Sequence, residues 1–213
     1  MIAACMKNGE LKMERLLQLT VEIGLLERVD VLASLLKAAN PQCYEHSKRV
    51  AALSKLMGDA MNYLGTELLD LCSAAFLHDV GKVVIPDSIL FKPGELNDAE
   101  WEIVREHPAD GAWTVGNIKE LTALVPFILS HHEWYDGSGY PHGIKGEQIP
   151  VEARIISIAD AYDTMTTPHA YRETISNDEA MEELKRCAGI QFDPALVEVL
   201  SQVVGYMAIS GDS

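Results

Sequence analysis

The sequence predicts an all-α fold, and three observations carry the prediction. Apolar residues recur at three- and four-residue spacing through nearly the whole chain, the pattern of helices with one buried face. The stretch Val83-Val84-Ile85-Pro86 is the one strand-like piece of note. Turn and stop residues, among them Asn40-Pro41, Gly65-Thr66, Gly81-Lys82 and Pro93-Gly94, cut the apolar stripes into helix-sized pieces.

Residues from about 10 to 39 read as two short amphipathic helices. Leu16, Leu19, Ile23 and Leu26 form one stripe, and Val31, Leu32, Leu35 and Leu36 the other. This segment carries no chemistry, and three roles stay open for it: a cap on the bundle, a homodimer contact, or the stub of a sensory region. We divide the chain into an N-terminal helical extension, 1–40, and a main domain, 41–213. A helix over about 42–64 follows, with Val50, Leu53, Met57, Ala60 and Leu64 inward and His46 extending that face. Thr66 is a candidate N-cap for the next helix, whose stripe Leu68, Leu71, Cys72, Ala75 and Phe76 ends on His78-Asp79. Gly81 suits the C-cap of that helix.

Asn97 is a candidate cap for a helix from Asp98 to about Glu106, and Pro108 suits the start of another over about 107–115. The stripe Leu121, Leu124, Val125, Ile128 and Leu129 ends on His131-His132, and Asp136-Gly137-Ser138-Gly139 breaks it. The helix from Val151 sets Ala153, Ile156, Asp160 and Asp163 along one face. Helices over about 178–188 and 194–204 close the chain, with no internal repeat.

Composition narrows the function. The 213 residues suffice for one well-buried domain, and 48% hydrophobic content supports a packed core. Four scattered cysteines without a Cys-x-x-Cys argue against a zinc ribbon or a disulfide framework and suit a reducing cytosol. The N-terminus has no signal-peptide pattern, and no apolar run approaches the roughly 20 residues of a membrane helix, so a cytoplasmic protein without membrane contact is expected. A formal net charge of −15 excludes non-specific binding to nucleic acid polymers. An anionic small substrate needs a local inversion of that field, which bound divalent cations supply best.

His46, His78, Asp79, His107, His131, His132 and Asp160 form a set drawn from different helices, mostly at the inward ends of apolar stripes. Imidazole and carboxylate are ligands for iron, manganese or zinc rather than calcium. The set exceeds the needs of one ion. Two ions about 3.5–4 Å apart, bridged by a carboxylate and a hydroxide, would use it. A core holding so many polar groups without shared ligation would be costly.

The chain resembles the HD superfamily of metal-dependent phosphohydrolases through His78-Asp79-Val-Gly81-Lys82. It resembles the HD-GYP branch through His131-His132-Glu133-x-x-Asp136-Gly137-Ser-Gly139-Tyr140-Pro141. Further matches are His107-Pro-x-x-Gly111, Ile149-Pro150 with Ala153-Arg154-Ile155, Ala159-Asp160-x-Tyr162-Asp163, and Gln191-Phe192-Asp193-Pro194. The resemblance implies a helical bundle that hydrolyses cyclic di-GMP, or a related cyclic dinucleotide, to pGpG or GMP. It implies two divalent ions, iron first and manganese second. His46, His78, Asp79 and Asp160 resemble one metal shell; His107, His131 and His132 resemble the other, with Asp79 bridging. A GGDEF-domain protein is the partner it implies for the Gly139-Tyr140-Pro141 loop.

Two cations would lower the pKa of a shared water and accept the charge that builds on the phosphoryl oxygens. Asp79 and Lys82 are then the catalytic candidates, with Lys82 placed to bind a phosphate. Tyr140 is a candidate to stack on guanine or bond a phosphate, and Arg172 to bind phosphate. Two departures from the family pattern stand out. His169 replaces an arginine, which weakens tight binding of cyclic di-GMP and favours, as an alternative, a binding or GGDEF-interacting module with little turnover. Gln42 stands where some members place a glutamate for a third metal, so two metals are expected. A di-iron oxygenase is a third reading, disfavoured by Lys82 and the intact Gly-Tyr-Pro loop.

Overall fold

Helix α2, Pro41–Ala60, is the element against which the others are arranged. Asn40 stops the preceding helix and starts this one: its side-chain oxygen accepts the Cys43 N–H at 3.0 Å, and Pro41 occupies the first turn. The computed structural model describes residues 22–168 and 174–211. Helix α1 covers 22–39 of these. After α2 come α3 (Gly65–Leu77), a 3-10 turn (Val80–Val84), α4 (Asp87–Leu90), α5 (Asp98–Arg105) and α6 (His107–Gly116). A second 3-10 turn (Lys119–Leu124) leads into α7 (Val125–Leu129), and a third (Gly146–Gln148) precedes α8 (Val151–Thr166). Helices α9 (Asn177–Arg186) and α10 (Pro194–Gly211) complete the order. Among the described residues there is no strand, only an isolated bridge between Ala188 and Phe192.

The core lies where α2, α3 and α8 meet, with α9 and α10 closing one side. Val50, Met57, Leu71, Ile155, Ile156 and Leu200 are among its fully enclosed members. Each such side chain contributes roughly 1.5–3 kcal/mol by leaving water. Helix α1 packs Leu25, Val29 and Leu32 into the same cluster. No helix among the described residues is long and apolar enough to cross a membrane.

Several local expectations change. The stripes read over 10–39 meet one continuous helix in the described part, and Ile23, Leu26, Val31 and Leu35 are exposed while Leu25, Val29, Leu32 and Leu36 are buried. Either set has helical spacing, so spacing alone does not choose the face. Leu16 and Leu19 lie outside the described residues. Helix α2 stops at Ala60, leaving Ala60 and Leu64 exposed. Thr66 is not a cap: α3 starts at Gly65, with Leu64 in the cap position and no side-chain cap bond. Gly81 does not end α3, and Val83-Val84 is not extended; both belong to the 3-10 turn after His78-Asp79. Asn97 does cap α5, in a full capping box with Glu100.

Candidate metal centre

Three histidines stand at helix ends and are held alike. His78 follows α3, His107 opens α6, and His131 lies just past α7. In each, ring Nδ1 donates to the carbonyl three residues earlier: Ala75 at 2.7 Å, Val104 at 2.7 Å and Ile128 at 2.6 Å. A carbonyl only accepts, so Nδ1 carries the proton and Nε2 is left with a bare lone pair. His46, on α2, is held by a carboxylate instead: its Nδ1 meets Asp163 Oδ2 at 2.7 Å.

The Nε2 atoms of His46, His78 and His107 converge on Asp79. Asp79 Oδ2 is 3.5 Å from His78 Nε2 and 3.9 Å from His46 Nε2, while Asp79 Oδ1 is 3.3 Å from His107 Nε2. Asp160 Oδ1 reaches His46 Nε2 at 3.1 Å. Two donor groups result, His46 with His78 and Asp79, and His107 with His131 and His132; within each, the ligand atoms lie within 4.8 Å of one another. Asp79 turns one oxygen to each group.

This donor set fits cations. His78 Nε2 and Asp79 Oδ1 are buried without a hydrogen-bond partner. His107 Nε2 and His131 Nε2 face each other at 3.3 Å, although both Nδ1 protons are committed to carbonyls. Two lone pairs at that distance repel unless a positive charge sits between or beside them. Burial lowers the pKa of His78, His131 and His132, the last to about 3, so these imidazoles are neutral donors. Burial works against a charged His46, but hydrogen bonds to Asp160 and Asp163 outweigh it and raise its pKa to about 9. For Asp79, burial is outweighed by the Lys82 charge, which holds the carboxyl well below the usual range.

The surroundings are equally specific. Lys82 Nζ donates to Asp79 Oδ2 at 2.7 Å. Cys43 Sγ approaches the same oxygen at 3.6 Å. Tyr140 lays its ring on His132, with centroids 4.9 Å apart and planes 25° from parallel. The Arg105 guanidinium lies 5.7 Å from the centre of the Tyr140 ring. Gly81 and Gly111 let the 3-10 turn and α6 meet backbone to backbone: a Cβ on Gly81 would stand 2.1 Å from the His107 carbonyl oxygen.

The family described as HD domain matches residues 30–196. This chain belongs to it. Within that family, the Gly139-Tyr140-Pro141 loop marks the HD-GYP branch. HD-domain phosphohydrolases are metal-dependent, and this chain carries a His/Asp cluster. The chain is 36% identical over 176 residues to "3'3'-cGAMP-specific phosphodiesterase 2" of Vibrio cholerae, covering 82% of this chain and 34% of that one. It is 34% identical over 176 residues to "Cyclic di-GMP phosphodiesterase" of Thermotoga maritima, covering 82% and 48%. Among solved structures it matches a cyclic GMP-AMP specific phosphodiesterase of Vibrio cholerae, V-cGAP3, with a TM-score of 0.65 and 25% identity, over 87% of this chain and 48% of that one. The chain thus spans less than half the length of these relatives.

The HD domain brings together all seven residues expected as metal ligands, with Lys82 against Asp79 and Tyr140 against His132. Arg172 and His169 lie outside the described residues. His142 and Gln42 are both exposed. Sequence reasoning missed the groups that hold the cluster side chains in place. Arg49 donates to both oxygens of Asp163, at 2.7 and 3.0 Å, and so fixes the carboxylate that orients His46. A signal existed: Arg49 lies three residues past His46 and Asp163 three past Asp160, each on the ligand's own helix face. Glu133 was also passed over. It is buried, its Oε1 accepts the His142 N–H at 2.6 Å, and its Oε2 has no partner.

Proposed function

We propose that this chain is a cytoplasmic, metal-dependent phosphodiesterase that opens cyclic di-GMP or a closely related cyclic dinucleotide. The observation that carries the reading is Asp79, buried and presenting one oxygen to each of two donor groups. The substrate class rests on the relatives named for cyclic di-GMP and 3'3'-cGAMP hydrolysis. Two divalent ions, iron in preference and manganese as substitute, would supply an activated water and neutralise charge on the phosphoryl oxygens.

The chain's own groups do the rest. His78, His107 and His131 enter with their tautomers already set, which removes reorganisation cost. Asp79 holds the two groups in register. Lys82, beside Asp79 and partly open to solvent, directs its remaining N–H bonds to a non-bridging phosphoryl oxygen and fixes the diester over the centre. Arg172 is assigned the outer phosphate. The hydrolytic unit spans 41–213, with 1–40 as an extension that offers exposed Val31 and Leu35 for a homodimer contact. The Gly139-Tyr140-Pro141 loop, with Pro141 exposed, is assigned to a GGDEF-domain partner.

The test is anaerobic loading with Fe(II), or loading with Mn(II), followed by incubation with cyclic di-GMP and 3'3'-cGAMP and chromatography of products. Linear pGpG or GMP-type products are expected from at least one of them. A chain that holds its metal and leaves both nucleotides intact would overturn the enzyme reading in favour of the binding module that His169 suggests.

A further inference from the structure

We propose that Tyr140 is a positioning residue for His132, the cluster histidine whose ring no hydrogen bond fixes among the described residues. The inference rests on the metal-centre reading above. His78, His107 and His131 are each locked by a carbonyl, and His46 by Asp163. Among the described residues, neither ring nitrogen of His132 has a hydrogen-bond partner. An imidazole without such a partner is free to turn about its side-chain bonds, and a turned ring presents the wrong atom to a cation. The rings of His131 and His107 bound it on two sides, at 4.1 and 5.0 Å between centroids. Tyr140 covers a further side as a near-parallel stack at 4.9 Å.

The loop that carries Tyr140 is built to press it there. Tyr140 N–H donates to the His132 carbonyl at 3.1 Å, so the chain returns to the residue it braces. Glu133 accepts the His142 N–H and closes the loop beyond Tyr140. Gly139 allows the approach, since a Cβ there would stand 2.5 Å from the His132 carbonyl oxygen and 2.2 Å from the Trp134 nitrogen. Outside the ring, Tyr135 and Asp136 N–H donate to the Gln191 and Ile190 carbonyls at 3.1 and 2.9 Å, anchoring the loop to the α9–α10 connection. The Arg105 guanidinium lies beside the same ring. Stacking needs the aromatic face and not the phenol, so the hydroxyl is dispensable for this role.

The experiment is calorimetric titration of manganese(II) into the metal-free full chain, comparing wild type with Tyr140→Phe and Tyr140→Leu, with circular dichroism to confirm folding. Wild type is expected to take two ions. Tyr140→Phe keeps both at wild-type affinity. Tyr140→Leu, which keeps bulk but loses the flat face, keeps the first ion and binds the second about ten- to a hundredfold more weakly. Wild-type affinity for both ions in Tyr140→Leu overturns the proposal, the more so if KM for cyclic di-GMP rises, which would make Tyr140 a substrate contact. Weakening by Tyr140→Phe as well overturns it in favour of the hydroxyl. A wild-type chain that binds no manganese removes the metal-centre reading itself.

Discussion

Replacing Gly81 with alanine sets a methyl group against backbone, where no side chain can swing aside. The new Cβ would stand 2.1 Å from the His107 carbonyl oxygen and 2.6 Å from the Gly111 nitrogen. The first distance is about 1.3 Å short of an ordinary contact, so the 3-10 turn and α6 must separate by about that much. Overpacking of a tight core costs about 1–3 kcal/mol, and a backbone-to-backbone clash belongs at the top of that range. With a urea slope near 3 kcal/mol/M for a chain of this size, about 3 kcal/mol moves the unfolding midpoint of the metal-free protein down by about 1 M. The same separation carries His107 away from Asp79, and a displacement near 1 Å costs on the order of 100-fold in turnover. Urea denaturation followed by circular dichroism measures the first effect, a metal titration of the folded variant reads the displacement of His107, and a turnover assay reads its cost. A midpoint shift below about 0.2 M would show that the turn and α6 do not meet as described. A large shift with unaltered metal affinity would show that their contact does not set the ligand geometry.

Three further outcomes follow from the same structure. Lys82→Ala should retain its metal, read by elemental analysis, and lose about 100- to 1,000-fold in hydrolysis of a cyclic dinucleotide, as expected for removal of one charged donor from a phosphoryl site; unchanged turnover would take Lys82 out of the mechanism. Asp163→Asn should leave Arg49 and His46 without their shared anion and weaken metal affinity about ten- to a hundredfold in a dialysis competition, and full affinity would refute its orienting role. Arg154→Met should cost about 3 kcal/mol in thermal or urea unfolding, because it strands the buried Asp193 carboxylate that Arg154 pairs with; a loss under 1 kcal/mol would show that the pair is solvated.

The His/Asp cluster was legible because chemistry constrained it twice. Most of its histidines are polar yet stand at the end of an apolar stripe, and that conflict is visible in one dimension. The helices were legible for the same reason, and Asn97 could be read as a cap because Glu100 completes its box. Helix faces were less legible where two apolar stripes share one helix. Over 22–39 the buried set and the exposed set are both leucine- and valine-rich, and only packing against the core separates them. The 3-10 turn at Val80–Val84 was misread because β-branched residues favour strands locally, whereas the backbone approach of Gly81 to His107 decides the conformation from a distance. Arg49, Asp163 and Glu133 went unassigned because a residue that orients another reveals itself by distance and not by sequence.

The two donor groups take one residue each from α2 and α6, with the rest just past the ends of α3 and α7, and Asp160 on α8 reaches His46. An ion bound there would therefore cross-link segments distant in sequence. Closing so long a loop would be entropically expensive for a metal acting alone, but the helical core has already brought those segments together. Binding then adds to stability by mass action, about 4 kcal/mol when free metal exceeds its dissociation constant a thousandfold. The melting temperature of this protein would then be a gauge of metal supply, and starvation for that metal would shorten its lifetime.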